Sequence, residues 1–151
     1  IINKWDIVES TSNTDAYFEY LNKTLPFARF APILFISALK GFNTDSIFDI
    51  GGQLYAQARV RVTTPVLNKV IEKIKSRIPS GGRIGKFLKI YYATQVGINP
   101  PEINLVVNHP ELFGGVTLRY IQGQMRKLLP FREVPIMINI KGRRTNQPNI
   151  I

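Results

Sequence analysis

The amide of Asn3, the ammonium of Lys4 and the carboxylate of Asp6 fall within four consecutive residues, Asn3-Lys4-Trp5-Asp6. Such a set suits the edge of a flat heterocycle. The Asp6 carboxylate can accept two hydrogen bonds at once, from the N1–H and the exocyclic amine of guanine. Adenine presents no such donor pair, so Asp6 would carry base specificity. Asn3 can tie its loop to neighbouring segments, and Lys4 can lay its aliphatic stem along one face of the base. The bland alternative is a solvated loop.

The surrounding elements favour the sharper reading. Ile1-Ile2 reads as the end of a buried strand, and Pro32-Ile33-Leu34-Phe35-Ile36 as a second strand buried on both faces. Between them, Asp15 to Leu25 carries Ala16, Tyr17, Tyr20, Leu21 and Leu25 at helical spacing, and Pro26 stops it. Ser37 to Asn43 is a loop. Thr44 to Arg59 is a helix with Ile47, Phe48, Leu54, Tyr55 and Ala58 expected inward. Strand, helix, strand, helix is the repeat of a doubly wound sheet, which binds ligands at the carboxyl ends of its strands. Asn3–Asp6 and Ser37-Ala38 both fall there. Their sequences match the N-K-x-D and S-A elements of guanine-nucleotide-binding proteins. In those proteins a backbone N–H at the alanine donates to guanine O6.

The phosphate half of such a site is missing. No G-x-x-x-x-G-K-[ST] occurs anywhere in the 151 residues. The nearest imitation, Gly81-Gly82-Arg83-Ile84-Gly85-Lys86, is one residue short between its outer glycines, and Phe87 cannot ligate magnesium. It also precedes a strand-like run, whereas a phosphate loop opens a helix. Gly82-Arg83-Ile84-Gly85 has the G-x-x-G form of KH domains but joins a helix to a strand. Both matches read as accidental, in a flexible basic hairpin.

Composition removes other chemistry. There are no cysteines and one histidine, His109, so thiolate metal sites, disulfides and a Ser-His-Asp triad are not expected. Absence of cysteine fits a reducing cytoplasm. No apolar window approaches a membrane span, and the N-terminus carries no secretory signal pattern. A hydrophobic share of 44% supports a real core.

The net charge of +10 is unevenly spread. Residues 1–58 hold four basic and six acidic groups, whereas residues 59–151 hold sixteen basic and four acidic. The first segment is therefore −2 and the second +12, which implies two units and a polyanionic partner for the second. The boundary falls near Arg59 to Pro65.

In the basic segment, Thr63 or Thr64 can cap a helix with Pro65 in its first turn. Leu67, Val70, Ile71, Ile74 and Ile78 face inward, and Lys69, Lys73 and Arg77 line the outside until Pro79-Ser80-Gly81-Gly82. Phe87 to Gln95 alternates as a strand, with Leu88, Ile90 and Tyr92 opposite Lys89, Tyr91, Ala93 and Gln95. After the rigid turn Asn99-Pro100-Pro101, Ile103 to Asn108 is a second strand. Residues 116–129 form a helix with Leu118, Ile121, Met125, Leu128 and Leu129 inward and Arg119 and Arg126 on an outer face. Val134 to Lys141 is a third strand. The order is αββαβ, a three-stranded sheet with two helices on one face. Candidate RNA contacts are Lys69, Lys73, Arg77, Arg83, Lys86, Lys89, Arg119, Arg126 and Lys141. Tyr91, Tyr92 and Tyr120 could stack on bases, and an equal reading has Tyr92 in the core and the other two packed against a neighbouring domain.

With these motifs the chain resembles the C-terminal part of the bacterial tandem GTPases of the Der or EngA family. The supporting strings are R-V-T-T-P-V-L-N, K-I-Y-Y-A-T-Q-V, I-N-P-P, V-V-N-H-P-E-L, L-R-Y-I-Q-G-Q-M-R and V-P-I-M-I-N-I-K. The resemblance implies an α/β fragment of a P-loop GTPase sheet at residues 1–58, then an α+β K-homology-like domain at 59–142 and a flexible tail at 143–151. It assigns guanine binding to Asn3, Lys4, Asp6, Ser37 and Ala38. It further implies a full-length parent that binds GTP or GDP with Mg2+ and hydrolyses GTP in large (50S) ribosomal subunit assembly in the cytoplasm. The implied partners are rRNA and the first GTPase domain of the same chain. A chain opening on N-K-W-D is expected to be cut from that parent. By itself it should be inactive, with no nucleotide or metal bound and no membrane partner. A stand-alone basic RNA-binding module without nucleotide function is the alternative.

Overall fold

The computed structural model describes residues 1–8, 13–76 and 88–143. The expected hairpin at Gly81–Lys86, together with Ile78, Arg77, Arg83, Lys86, Phe87 and the tail beyond Arg143, lies outside these residues. The chain divides into two compact units, Ile1–Gln57 and Ala58–Ile151.

In the first unit, α1 spans Thr14–Thr24. The Asn13 side chain caps it by accepting from the Asp15 N–H at 2.9 Å, satisfying one of the orphan donors of the first turn. The expected second strand is realised as a single parallel bridge between Ile2 and Phe35. Ile2 N–H donates to Leu34 O, Ile36 N–H to Ile2 O and Trp5 N–H to Ile36 O. The chain then turns away at Lys4, whose φ of 65° is left-handed, so no longer ladder forms. Residues 31–35 are accordingly half-buried rather than enclosed on both faces.

Helix α2 covers Ser46–Arg59. Two of its expected inward residues are outward: Phe48 is 80% exposed and Tyr55 54%. Helical geometry explains the difference. Ile47, Ile50, Leu54 and Ala58 follow i, i+3, i+7 and i+11, whereas Phe48 and Tyr55 share a stripe about 100° away. The sequence offers both stripes, and the fold covers the first. Tyr20 and Leu25 of the α1 pattern are likewise exposed.

The second unit carries the larger core. Helix α3 (Thr64–Lys75) buries Leu67, Val70, Ile71 and Ile74. Full burial of each such side chain stabilises by about 1.5–3 kcal/mol relative to exposure. Strands β1 (Ile90–Gly97), β2 (Glu102–Val107) and β3 (Met137–Gly142) form one sheet in that order. The β1–β2 pair is antiparallel and the β2–β3 pair parallel. Parallel pairing needs a crossover, and α4 (Gly115–Leu128) supplies it, burying Ile121 and Met125. Val134 and Ile136, expected within the third strand, are buried ahead of it. This is the αββαβ order, a three-stranded mixed sheet with its helices.

One register detail overturns the simple alternation of β1. Ile90 pairs with Val107 but Tyr92 pairs with Val106, so Tyr91 is an extra residue in a β-bulge. Past the bulge the inward positions become Ala93 and Gln95, both buried. Tyr92, read from alternation as a partner of Ile90, is 52% exposed.

Strand β1 is an edge, and its outer backbone is occupied. The Asn68 side chain on α3 accepts from the Ala93 N–H at 2.8 Å and donates to the Ala93 carbonyl at 2.9 Å. Gln95 holds the incoming chain in the same manner. Its Oε1 accepts from the Val62 N–H at 2.7 Å, and its Nε2 donates to Val60 O at 3.0 Å and Gly97 O at 3.1 Å.

Candidate guanine-recognition loops and basic surface

The Ile2–Phe35 bridge brings the two candidate loops side by side. Asn3 Oδ1 accepts from its neighbour, the Lys4 N–H, at 2.7 Å and from the Ala38 N–H at 3.1 Å. Ser37 Oγ donates to Asp6 Oδ1 at 2.5 Å and accepts from the Lys40 N–H at 3.2 Å. All five predicted guanine-site residues therefore belong to one cluster.

Their burial separates their roles. Ser37 is 1% exposed and its backbone pairs both ways with Phe42, so it is a fixed post. Asp6 is half-buried, and Asn3, Lys4 and Ala38 are exposed. A carboxylate offers about four lone-pair sites. Ser37 engages one, which orients Asp6 while leaving its other oxygen for a donor pair.

Trp5, the one residue of the motif given no role by the chemistry above, is its anchor. It is 4% exposed, with its ring 4.2 Å from Phe35 and edge-on to Tyr17 at 5.3 Å. Its short 3-10 turn, Trp5–Ile7, is thereby pinned beneath the exposed Asn3 and Lys4. An aromatic between polar loop residues was the available signal.

In the second unit, Lys69, Lys73, Lys89, Arg119 and Lys141 are exposed at the surface. Arg126 is placed differently: its Nη1 donates to Phe131 O at 3.3 Å and to Val134 O. Burial lowers its pKa from the ordinary arginine value, and its charge is directed at the loop after α4. Its heptad partner Arg119 has no such burial. Sequence reasoning missed Arg143, whose guanidinium lies 5.0 Å from the centre of the Tyr91 ring. Lys89 Nζ lies 5.6 Å from the same ring. Arg143 falls at the start of the expected tail, yet its N–H donates to Val107 O and extends the β2–β3 pairing.

Among the described residues, no helix is long and apolar enough to cross a membrane. Nor does any group of three or more His, Cys, Asp or Glu side chains among them have the arrangement to hold a metal ion.

A three-stranded mixed sheet in this αββαβ order is that of a K-homology-like unit. The chain belongs to the family described as the KH-domain-like domain of EngA bacterial GTPase enzymes, C-terminal, which matches residues 61–141. It is similar to the GTPase Der of Natranaerobius thermophilus, 40% identical over 147 residues, covering 95% of this chain and 33% of that protein. The GTPase Der of Caldanaerobacter subterraneus is 40% identical over 144 residues, with the same coverage. That of Prochlorococcus marinus strain NATL1A is 42% identical over 145 residues, covering 95% of this chain and 32% of that protein. The chain thus spans about a third of the length of the curated relatives it matches.

Proposed function

We propose that this chain is the C-terminal part of a GTP-binding GTPase of ribosome biogenesis, acting in large (50S) subunit assembly. Asn3, Lys4, Asp6, Ser37 and Ala38 would hold the guanine base, and the basic unit would contact rRNA. The carrying observation is the cross-link of the two loops, with Asn3 Oδ1 on the Ala38 N–H and Ser37 Oγ on Asp6. It brings the candidate specificity carboxylate near the Ala38 N–H, a donor that Asn3 Oδ1 occupies here and would have to release for guanine O6. The relatives' shared designation as GTPase Der supports the same reading.

GTP or GDP and Mg2+ would be held with phosphate-binding residues supplied by a longer chain, since the 151 residues contain no phosphate loop. The first GTPase domain of that longer chain is a further proposed partner, and the compartment is the cytoplasm. The chain alone is expected to bind guanine nucleotides weakly and to turn over no GTP.

Nuclear magnetic resonance titration of the chain with guanosine and adenosine tests the base site. Guanosine should shift the Asn3, Trp5 and Ala38 amides and adenosine should not. Equal shifts with both would refute base recognition. Micromolar GTP affinity in isothermal titration would contradict the dependence on absent phosphate residues.

A further inference from the structure

The β1 bulge does more than break alternation. It turns two successive tyrosines toward a surface where three cations converge. Tyr92, Val106 and Lys141 lie in register across the three strands, on the sheet face opposite buried Ala93, Leu105 and Ile103. They border a concavity completed by Gly142 and Arg143. Val106 is its apolar floor, the half-exposed Tyr92 ring one wall, and Lys141 and Arg143 the other. Beside it, Tyr91 lies against Lys89 and Arg143.

We infer that this concavity binds single-stranded RNA, with one unstacked base on Tyr92 over Val106 and its flanking phosphates on Lys141 and Arg143. The site is distinct from the Lys69–Lys73 side of α3. An exposed ring with cations at its rim fits a base with its phosphate, because stacking tolerates any base and the charge tracks the backbone. A duplex keeps its bases stacked and has none to offer Tyr92.

Local charge favours the same occupant. Glu72 pairs with Lys75 and Glu111 with His109, while Glu102, on the same sheet face, is bonded to the Asn139 amide four residues along β2 from Val106. Lys89, Lys141 and Arg143 therefore set the sign of the patch. The inference rests on the RNA-contact reading proposed above but names the surface and the form of RNA.

The test is fluorescence anisotropy of the 151-residue chain with a labelled single-stranded oligoribonucleotide, the same strand in a duplex, and inorganic polyphosphate as a polyanion without bases. Tyr92→Ala should weaken single-strand binding about 5- to 150-fold, the range for losing one base–aromatic stack. Tyr92→Phe should retain affinity, and polyphosphate binding should be unchanged in both. Lys141→Ala with Arg143→Ala should lower the single-strand salt slope by about 1.4, for two phosphates. Photocrosslinking of the unmutated chain to 4-thiouridine RNA should label the Tyr91–Tyr92 peptide.

Binding of RNA by the wild type with no change in Tyr92→Ala would overturn this site and leave the broader RNA reading intact. Absence of any RNA binding by the wild type would overturn both. Crosslinks confined to α3 around Lys69 and Lys73 would likewise exclude the sheet concavity.

Discussion

Ser37 Oγ donates to Asp6 Oδ1 at 2.5 Å, linking residues 31 positions apart in the chain. The hydroxyl is buried and also receives the Lys40 N–H, so the carboxylate is held from beneath by a group that cannot swing away. Position 37 therefore fixes the orientation of the carboxylate at position 6. In the guanine-site reading, Ser37 is an orienting residue and Asp6 the discriminating one.

Ser37→Ala should loosen that arrangement without unfolding the chain. Removing one hydrogen-bonded hydroxyl costs about 1 kcal/mol. Trp5 is the chain's single tryptophan and is packed on Phe35, so its fluorescence reports on this unit. Denaturant melts followed at Trp5 should show that modest loss, and guanosine-induced shifts should disappear. Retained guanosine selectivity would show that Asp6 needs no such support.

Asn68 tests how the β1 edge is protected. Its amide satisfies both the N–H and the carbonyl of Ala93 and so replaces a missing neighbouring strand. Asn68→Leu should cost about 2 kcal/mol for two lost backbone partners. The freed edge should also promote association between copies, since unpaired strand edges template pairing. Equilibrium unfolding and sedimentation read the two effects separately. A stable, monomeric variant would show that the edge is safe without it.

Arg126 and Lys73 carry the same charge but should fail differently. Arg126→Ala strips donors from the Phe131 and Val134 carbonyls, a loss of about 2 kcal/mol for a charged donor. Lys73→Ala removes an exposed charge, and stability should stay within about 0.5 kcal/mol. If α3 touches phosphate, Lys73→Ala should lower the salt slope of RNA binding by about 0.7. Thermal melts and salt titrations distinguish the outcomes, and equal melting behaviour would refute the structural role of Arg126.

Acid should release a small contribution from Glu111. Its pKa lies below the ordinary 4.5, first through a backbone N–H and then through His109. A depressed carboxyl favours the fold above its unfolded value and loses that effect as pH falls through its folded value. The stability gap between wild type and Glu111→Gln should thus be constant at neutral pH and close below pH 4.5. A gap that persists in acid would show that the effect is not ionic. Because the side chain is exposed, the gap should also shrink with salt.

The sequence by itself determined the αββαβ order of the second unit, the presence of the N-K-x-D and S-A motifs and the division of charge. Each is a local property: a motif is its residues, a helix its period, and charge a count. Leu67, Val70, Ile71 and Ile74 could be placed in the core because only one stripe of α3 is apolar. Tertiary structure decided whatever depends on a partner. On α2 two apolar stripes compete, and only packing selects Ile47–Leu54 over Phe48–Tyr55. The bulge at Tyr91 is a mismatch of β1 with β2, invisible in either strand alone, yet it sends Tyr92 to the surface. Arg126 reads as an outer cation until the loop after α4 folds its carbonyls back onto it. Periodicity records what one segment can offer, whereas register and burial are settled between segments.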